Sequence, residues 1–220
     1  MTPPPSSIVH RCGTADGPRL LLVSESPISG DETWILAVDS AAGKAGLRVE
    51  VLYQAGCWWT DPIEREPPLL AFADEPAAIA GIGIGGQAAL LAAFEHPDRF
   101  PAVAAIAPAC DLGRWYDRMP SLQQTFTSAE QARQWEAPLR LNPLRRPRSV
   151  WVGCDPRDQP CTPSALRVTT KLTSSGIAVE HDLTSELGDD RNDYAAATAN
   201  VWIPFLADAI NRVDAALPIL

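Results

Sequence analysis

Residues 79–95 read IAGIGIGGQAALLAAFE, and they hold the chain's most chemically suggestive spacing. A short apolar run enters a cluster of glycines, Gly81, Gly83, Gly85 and Gly86, and a helix-forming stretch follows without a spacer. Strand, sharp turn and helix is the plan that lifts an attacking serine above a sheet in a G-x-S-x-G elbow. Set on Gly81 and Gly85, the nucleophile position falls on Gly83, which has no side chain to attack with. Acyl transfer at such a turn also needs an imidazole, a carboxylate to orient it, and backbone N–H donors for the developing oxyanion. The N–H of Ile84, directly after the turn, is one such donor.

The same glycines satisfy a second pattern. Gly81, Gly83 and Gly86 match G-x-G-x-x-G, the dinucleotide fingerprint, between an expected strand and helix. That chemistry calls for an acidic residue at the tip of the next strand. Here the strand closes on Ala107-Pro108-Ala109, with Asp111 several residues late, and two strand units precede the motif. Nucleotide binding therefore ranks third among the functional readings.

Substitutes for the missing nucleophile are few. Ser24, Ser26, Cys110 and Cys154 fall near expected strand ends, yet none has a base beside it in sequence, and an unactivated serine is a poor nucleophile. Cys154 precedes two aspartates, which raise a thiol's pKa rather than lower it. The three histidines, His10, His96 and His181, fall in the lead-in, at a helix end and inside the last strand, and each is expected to be structural.

Positioning such a site takes a buried parallel sheet. All-apolar runs at residues 20–23, 79–82 and 101–108, with RVEVLY at 48–53, SVWVG at 149–153 and a last strand at 177–183, suit strands covered on both faces. Helices are predicted over 33–45, closed by Gly46, over 87–95, 163–175 and 193–213, with a short one near 69–74 and another at 128–137. Pro204 marks an expected kink in the last helix. The alternation predicts an α/β three-layer sandwich with a mainly parallel sheet of about six strands. Residues 1–18, rich in Pro, Ser and Gly, are expected to form a loose lead-in, and 19–220 a single domain with a cap-like excursion at 111–148.

Composition narrows the partners. A formal charge of −9 argues against nucleic acid and anionic membranes. The start, MTPPPSSIVH, has neither the basic nor the apolar part of a leader, and five cysteines without paired spacing suit a reducing cytosol, so a cytoplasmic setting is expected. No Cys/His set has metal-ligand spacing, and neither metal nor cofactor is expected. Among seven tryptophans, Trp58, Trp59, Trp115 and Trp135 are candidate contact residues for a protein partner or a second copy.

The segment GIGIGGQAALLAAFEHPDRFPAVAAIAPACD resembles α/β-hydrolase esterases related to esterase D and S-formylglutathione hydrolase, whose elbow reads G-x-S-M-G-G-Q-G-A-L before HPD-R-F. TSAEQARQ at 127–134 and VGCDPRD followed by GIAVEHDL resemble the cap, acid loop and last strand of the putative-esterase branch. The resemblance implies an α/β-hydrolase fold with the N-terminal hairpin reduced or absent. It puts the catalytic acid at Asp158 or Asp155 and, where that family carries G-G-H-S-W, puts Asp190 in the histidine's place. The family's His-Gly oxyanion pair becomes Ser26-Pro27, which leaves Ile84 and Ser26 as oxyanion-like positions. Gly83, Asp158 and Asp190 are then a vestigial triad. Asp155, Asp158, Asp189 and Asp190 are expected to gather at the pocket as two solvated loops or as a site for a cation or cationic ligand. The expected function is an inactive esterase homologue serving as a structural or binding subunit, with a re-tooled ester hydrolase as the alternative.

Overall fold

In the computed structural model, residues 7–25, 32–53, 69, 75–188 and 190–216 are described. Seven strands form one sheet in the order β1-β3-β2-β4-β5-β6-β7. They are β1 (Ser7–Gly13), β2 (Arg19–Ser24), β3 (Arg48–Tyr53), β4 (Ala78–Ile82), β5 (Ala102–Ile106), β6 (Ser149–Gly153) and β7 (Glu180–Asp182). All neighbours run parallel except β1, which is antiparallel to β3.

The apolar runs resolve into two faces because successive strand residues point to opposite sides of a sheet. Leu21, Val23, Ile79, Val103 and Val152 pack under α2 (Ile84–Glu95) and α7 (Thr162–Ser174). Leu20, Leu22, Ala80, Ala104 and Trp151 pack under α1 (Thr33–Ala45), α8 (Arg191–Ala197) and α9 (Ala199–Ala216). That makes three layers. Helix α1 stops where expected, at Gly46 in the left-handed region (φ 71°).

The N-terminal segment departs from expectation. Instead of a loose lead-in with the hairpin reduced or absent, residues 7–13 form β1, which turns back at 14–18 into β2 and brings the count to seven strands rather than about six. Charge fixes the register: Arg11 lies opposite Glu50 on β3, and both Arg11 (3.4 Å) and Arg19 (2.9 Å) pair with that carboxylate. Flanking Pro, Ser and Gly hide this strand in the sequence.

Residues 111–148 form the excursion, with α3 (Leu112–Trp115), a 3₁₀ turn (Tyr116–Arg118), α4 (Pro120–Thr125), α5 (Ala129–Arg133) and α6 (Ala137–Arg140). Leu112, Leu122, Phe126 and Ala132 form its small core, with Trp115, Tyr116, Met119 and Trp135 packed on it. The single helix expected over 128–137 ends at Arg133, and Glu136, with extended backbone, is the N-cap of α6. Its buried carboxylate accepts the Gly113 N–H (3.1 Å) and an Arg167 N–H (2.8 Å). Helix α2 is buried on nearly every side, as a helix between sheet and cap must be. Its Gln87, fully buried, donates to Trp135 O (2.7 Å) and accepts from Ala137 N–H (3.1 Å), tying cap to elbow. The break in the last helix falls at Thr198 between α8 and α9, while Pro204 lies inside α9. The last strand is shorter than the seven residues expected, and of the helix near 69–74 only Leu69 lies within the described residues.

Candidate functional site

Strand β4 delivers the chain to Gly83, which has φ 60° and ψ −118°, a conformation that strains any residue bearing a Cβ. The turn is held from beneath. Gly83 N–H donates to Ile106 O (2.9 Å), and Gly83 O accepts from Ala109 N–H (2.9 Å). The remaining glycines serve close packing: a Cβ on Gly81 would strike the backbone of Gly85, and one on Gly85 would strike that of Val23. Backbone contact between β2, β4 and α2 thus explains the spacing that also matched a dinucleotide pattern.

The space above Gly83 is filled by Glu25, the residue after β2. A Cβ built on Gly83 would run into the Glu25 carboxylate. Oε2 of Glu25 accepts the N–H of Ile84 at 3.0 Å, so a side chain of the protein itself occupies the donor expected to serve an oxyanion. Arg191 Nη1 donates to Glu25 Oε1 (2.8 Å) and Oε2 (3.0 Å), while its Nε donates to Asp158 Oδ2 (2.9 Å). Where an acyl-transfer site aligns acid, imidazole and hydroxyl, this chain aligns Asp158, Arg191 and Glu25. A guanidinium stays protonated at any relevant pH and relays no proton. Burial works against the charge, but Cys161, Glu25 and Asp158 around it hold the pKa of Arg191 above its ordinary value.

This geometry bears on the residues expected to hold the places of the histidine and the acid. Asp190 does not stand in for the histidine. It is the N-cap of α8, its Oδ1 accepting from Asn192 N–H (2.7 Å) and Asp193 N–H (2.9 Å), and the next residue, Arg191, faces the acid. Of the two candidate acids, Asp158 is the one turned toward the elbow. Asp155 instead clamps Arg157 through Nε (3.0 Å) and Nη2 (2.8 Å) and accepts Leu187 N–H (2.8 Å). Hydrogen bonds from Arg157, opposed by burial and aided by the Leu187 N–H, hold the Asp155 pKa down at about 2.

Glu25, Asp155, Asp158, Asp190, Arg157 and Arg191 line one cavity of about 560 Å³, with Tyr194 among its walls. Asp155, Asp158 and Asp190 share this cavity, where Arg157 pairs with the first and Arg191 with the second, and among the described residues no cluster of His, Cys, Asp and Glu has a metal-binding arrangement. Ser26 and Asp189, like Trp58 and Trp59, lie outside the described residues. Ser24, Cys110 and Cys154 are buried, and burial raises the Cys154 thiol to about 11 and the Cys110 thiol higher still. Asp111, the late acid of the nucleotide pattern, pairs with Arg167 (2.9 Å). None of the histidines lines the cavity. His96 ends α2 at the far side from the elbow, and His181 is exposed on β7. Trp115 and Trp135 are half-buried against the cap's core.

Sequence reasoning missed Glu25 and Arg191. Each carries a signal in retrospect: a charge at the C-terminal tip of a buried parallel strand, and a cation next to the residue set in the histidine's place.

The family model described as "Putative esterase" matches residues 64–182, more than half of the chain. The chain belongs to that esterase family. None of the curated proteins matches it by sequence. Among solved structures, this esterase-family chain is similar to Est1E from Butyrivibrio proteoclasticus, with a TM-score of 0.67 at 12% identity over 89% of each chain. It is similar to an S-formylglutathione hydrolase from Agrobacterium tumefaciens, with 0.68 at 14% over 88% of this chain and 84% of that one. The mouse alpha/beta hydrolase domain-containing protein 10 gives 0.61 at 17% over 93% of each. Likeness at such identities speaks for the α/β-hydrolase fold, with β1 as its N-terminal antiparallel strand. No helix among the described residues is long and apolar enough to cross a membrane.

Proposed function

We propose that this esterase-family protein has given up acyl transfer and serves as a binding or structural subunit built on the hydrolase fold. One observation carries the reading: the Glu25 carboxylate lies over Gly83 and takes the Ile84 N–H, so the elbow has neither an attacking group nor room for an acyl carbonyl. The Asp158–Arg191–Glu25 chain supports it, because a guanidinium cannot serve as the general base. A re-tooled hydrolase has little to draw on among Ser24, Cys110 and Cys154, which are buried.

The test pairs short-chain p-nitrophenyl esters with a fluorophosphonate probe on the purified protein. Turnover is expected to match a buffer blank, and the probe to leave the chain unlabelled. Saturable turnover that Glu25→Ala or Cys110→Ala abolishes overturns the proposal.

A further inference from the structure

Residues 137–154 hold four arginines, Arg140, Arg145, Arg146 and Arg148, and no acid, in a chain whose formal charge is −9. All other positions together therefore carry −13. At the centre of this basic stretch is a turn. Arg145 N–H donates to Asn142 O (3.1 Å) and Leu144 N–H to Asn142 Oδ1 (3.0 Å), with Pro143 where a turn favours its fixed φ. Leu144 stands at the tip, 97% exposed. A leucine on a turn already fixed by hydrogen bonds loses little chain entropy when a partner covers it. Arg140 and Arg145 pair with Glu95 (3.1 Å) and Asp98 (3.2 Å), whereas Arg146 and Arg148 meet no carboxylate among the described residues.

The turn leads into β6 and so lies at the N-terminal end of the parallel strands. The cavity lies at the other end, because Glu25, Ala107, Asp155 and Asp190 follow β2, β5, β6 and β7. One chain's turn therefore cannot enter its own cavity. That cavity sets Glu25, Asp155, Asp158 and Asp190 against Arg157 and Arg191, an excess of negative charge. Asp190 caps α8 through Oδ1, and its Oδ2 accepts no hydrogen bond among the described residues. Ala107, Pro160 and Tyr194 supply apolar wall, and 560 Å³ falls within the range of about 300–1,000 Å³ that encloses a small ligand or a turn tip.

We propose that this turn docks in the cavity of a second copy, Leu144 against the apolar wall and Arg146 against Asp190. The two surfaces differ and lie at opposite ends of the molecule, so the contact is head-to-tail and repeats from copy to copy. Opposite charge favours this pairing over turn against turn, where arginines would meet arginines. One turn in one cavity is a small contact, so the association is expected to be weak and sensitive to salt.

The inference names a partner for the structural role proposed above and rests on it, but it fails separately. Ester turnover by the parent overturns the role, whereas mass in solution decides the contact. Sedimentation and light scattering follow the mass from low micromolar to near-millimolar protein in low and high salt. At low salt the parent is expected to rise with concentration from 23.7 kDa to beyond the dimer, and high salt to reverse the rise. Leu144→Asp alters an exposed tip, and Asn192→Arg places a cation at the cavity wall. Each is expected to weaken association by about tenfold or more. An equimolar mixture of the two retains one intact turn and one intact cavity, so it is expected to form a dimer and nothing larger. A parent that stays monomeric at low salt throughout overturns the proposal, as does a parent that stops at a dimer. Association unchanged by either substitution or by salt overturns it too, and so does a mixture that stays monomeric.

Discussion

Arg191 Nε donates to Asp158 Oδ2 at 2.9 Å, and the same guanidinium reaches Glu25 at 2.8 Å. One side chain thereby joins the loop after β6, the start of α8 and the end of β2 above the elbow. A proton relay in this place would need an aromatic base that changes charge. A fixed cation between two carboxylates binds the same three segments without changing charge.

Removing that cation tests the joint. In Arg191→Met the Asp158 and Glu25 carboxylates, each less than a fifth exposed at the side chain, lose the cation between them and keep only backbone N–H donors, from Cys161 and Ile84. Breaking one side of a mostly buried pair is destabilising, and partial exposure of Arg191 softens it, so the expected loss is about 2–3 kcal/mol. Urea unfolding measures it. A loss within about 0.5 kcal/mol of the parent, the range of ordinary surface changes, would show that the joint is ornamental.

How much of this was legible is uneven. The all-apolar runs at 20–23 and 79–82 announced strands covered on both faces, and Gly46 announced the end of α1, because burial and a left-handed cap leave local marks. The elbow showed itself through glycine spacing set by backbone contact between Gly81 and Gly85. The pairing of Glu25 with Arg191 is not legible in the same way: 166 residues separate them, and a charge at a strand tip or a cation beside Asp190 does not name its partner. Strand β1 was hidden likewise, since its register depends on Glu50, a partner from another strand.

Asp155 gives the fold an acid-sensitive element. Its pKa, lowered from 3.8 to about 2 chiefly by the Arg157 hydrogen bond, means the unfolded chain takes up the proton first as pH falls. The stability it contributes is therefore complete above about pH 4 and is lost as pH drops through 2. With Arg157 half exposed, about 1 kcal/mol is at stake. Arg157→Met should melt lower than the parent at pH 6, and the gap should close between pH 4 and 2. A gap that stays constant across that range would assign the effect to packing.

Gly83→Ser restores the serine of the G-x-S-x-G pattern and should nonetheless yield no esterase. Its Cβ would enter the space of the Glu25 carboxylate, and φ of 60° strains any side-chain-bearing residue. Backbone strain of about 1–3 kcal/mol is expected, with a further loss as Glu25 leaves Ile84 and Arg191. Truncating Glu25 removes the clash and leaves the strain, so Gly83→Ser should cost less in a Glu25→Ala background than in the parent. A double-mutant cycle in urea measures the difference as a coupling of about 1–2 kcal/mol. Additive costs would mean that the serine and the carboxylate do not compete for one space. Ester turnover by the double variant is expected to stay at the blank, because Arg191 stands where proton transfer requires a base.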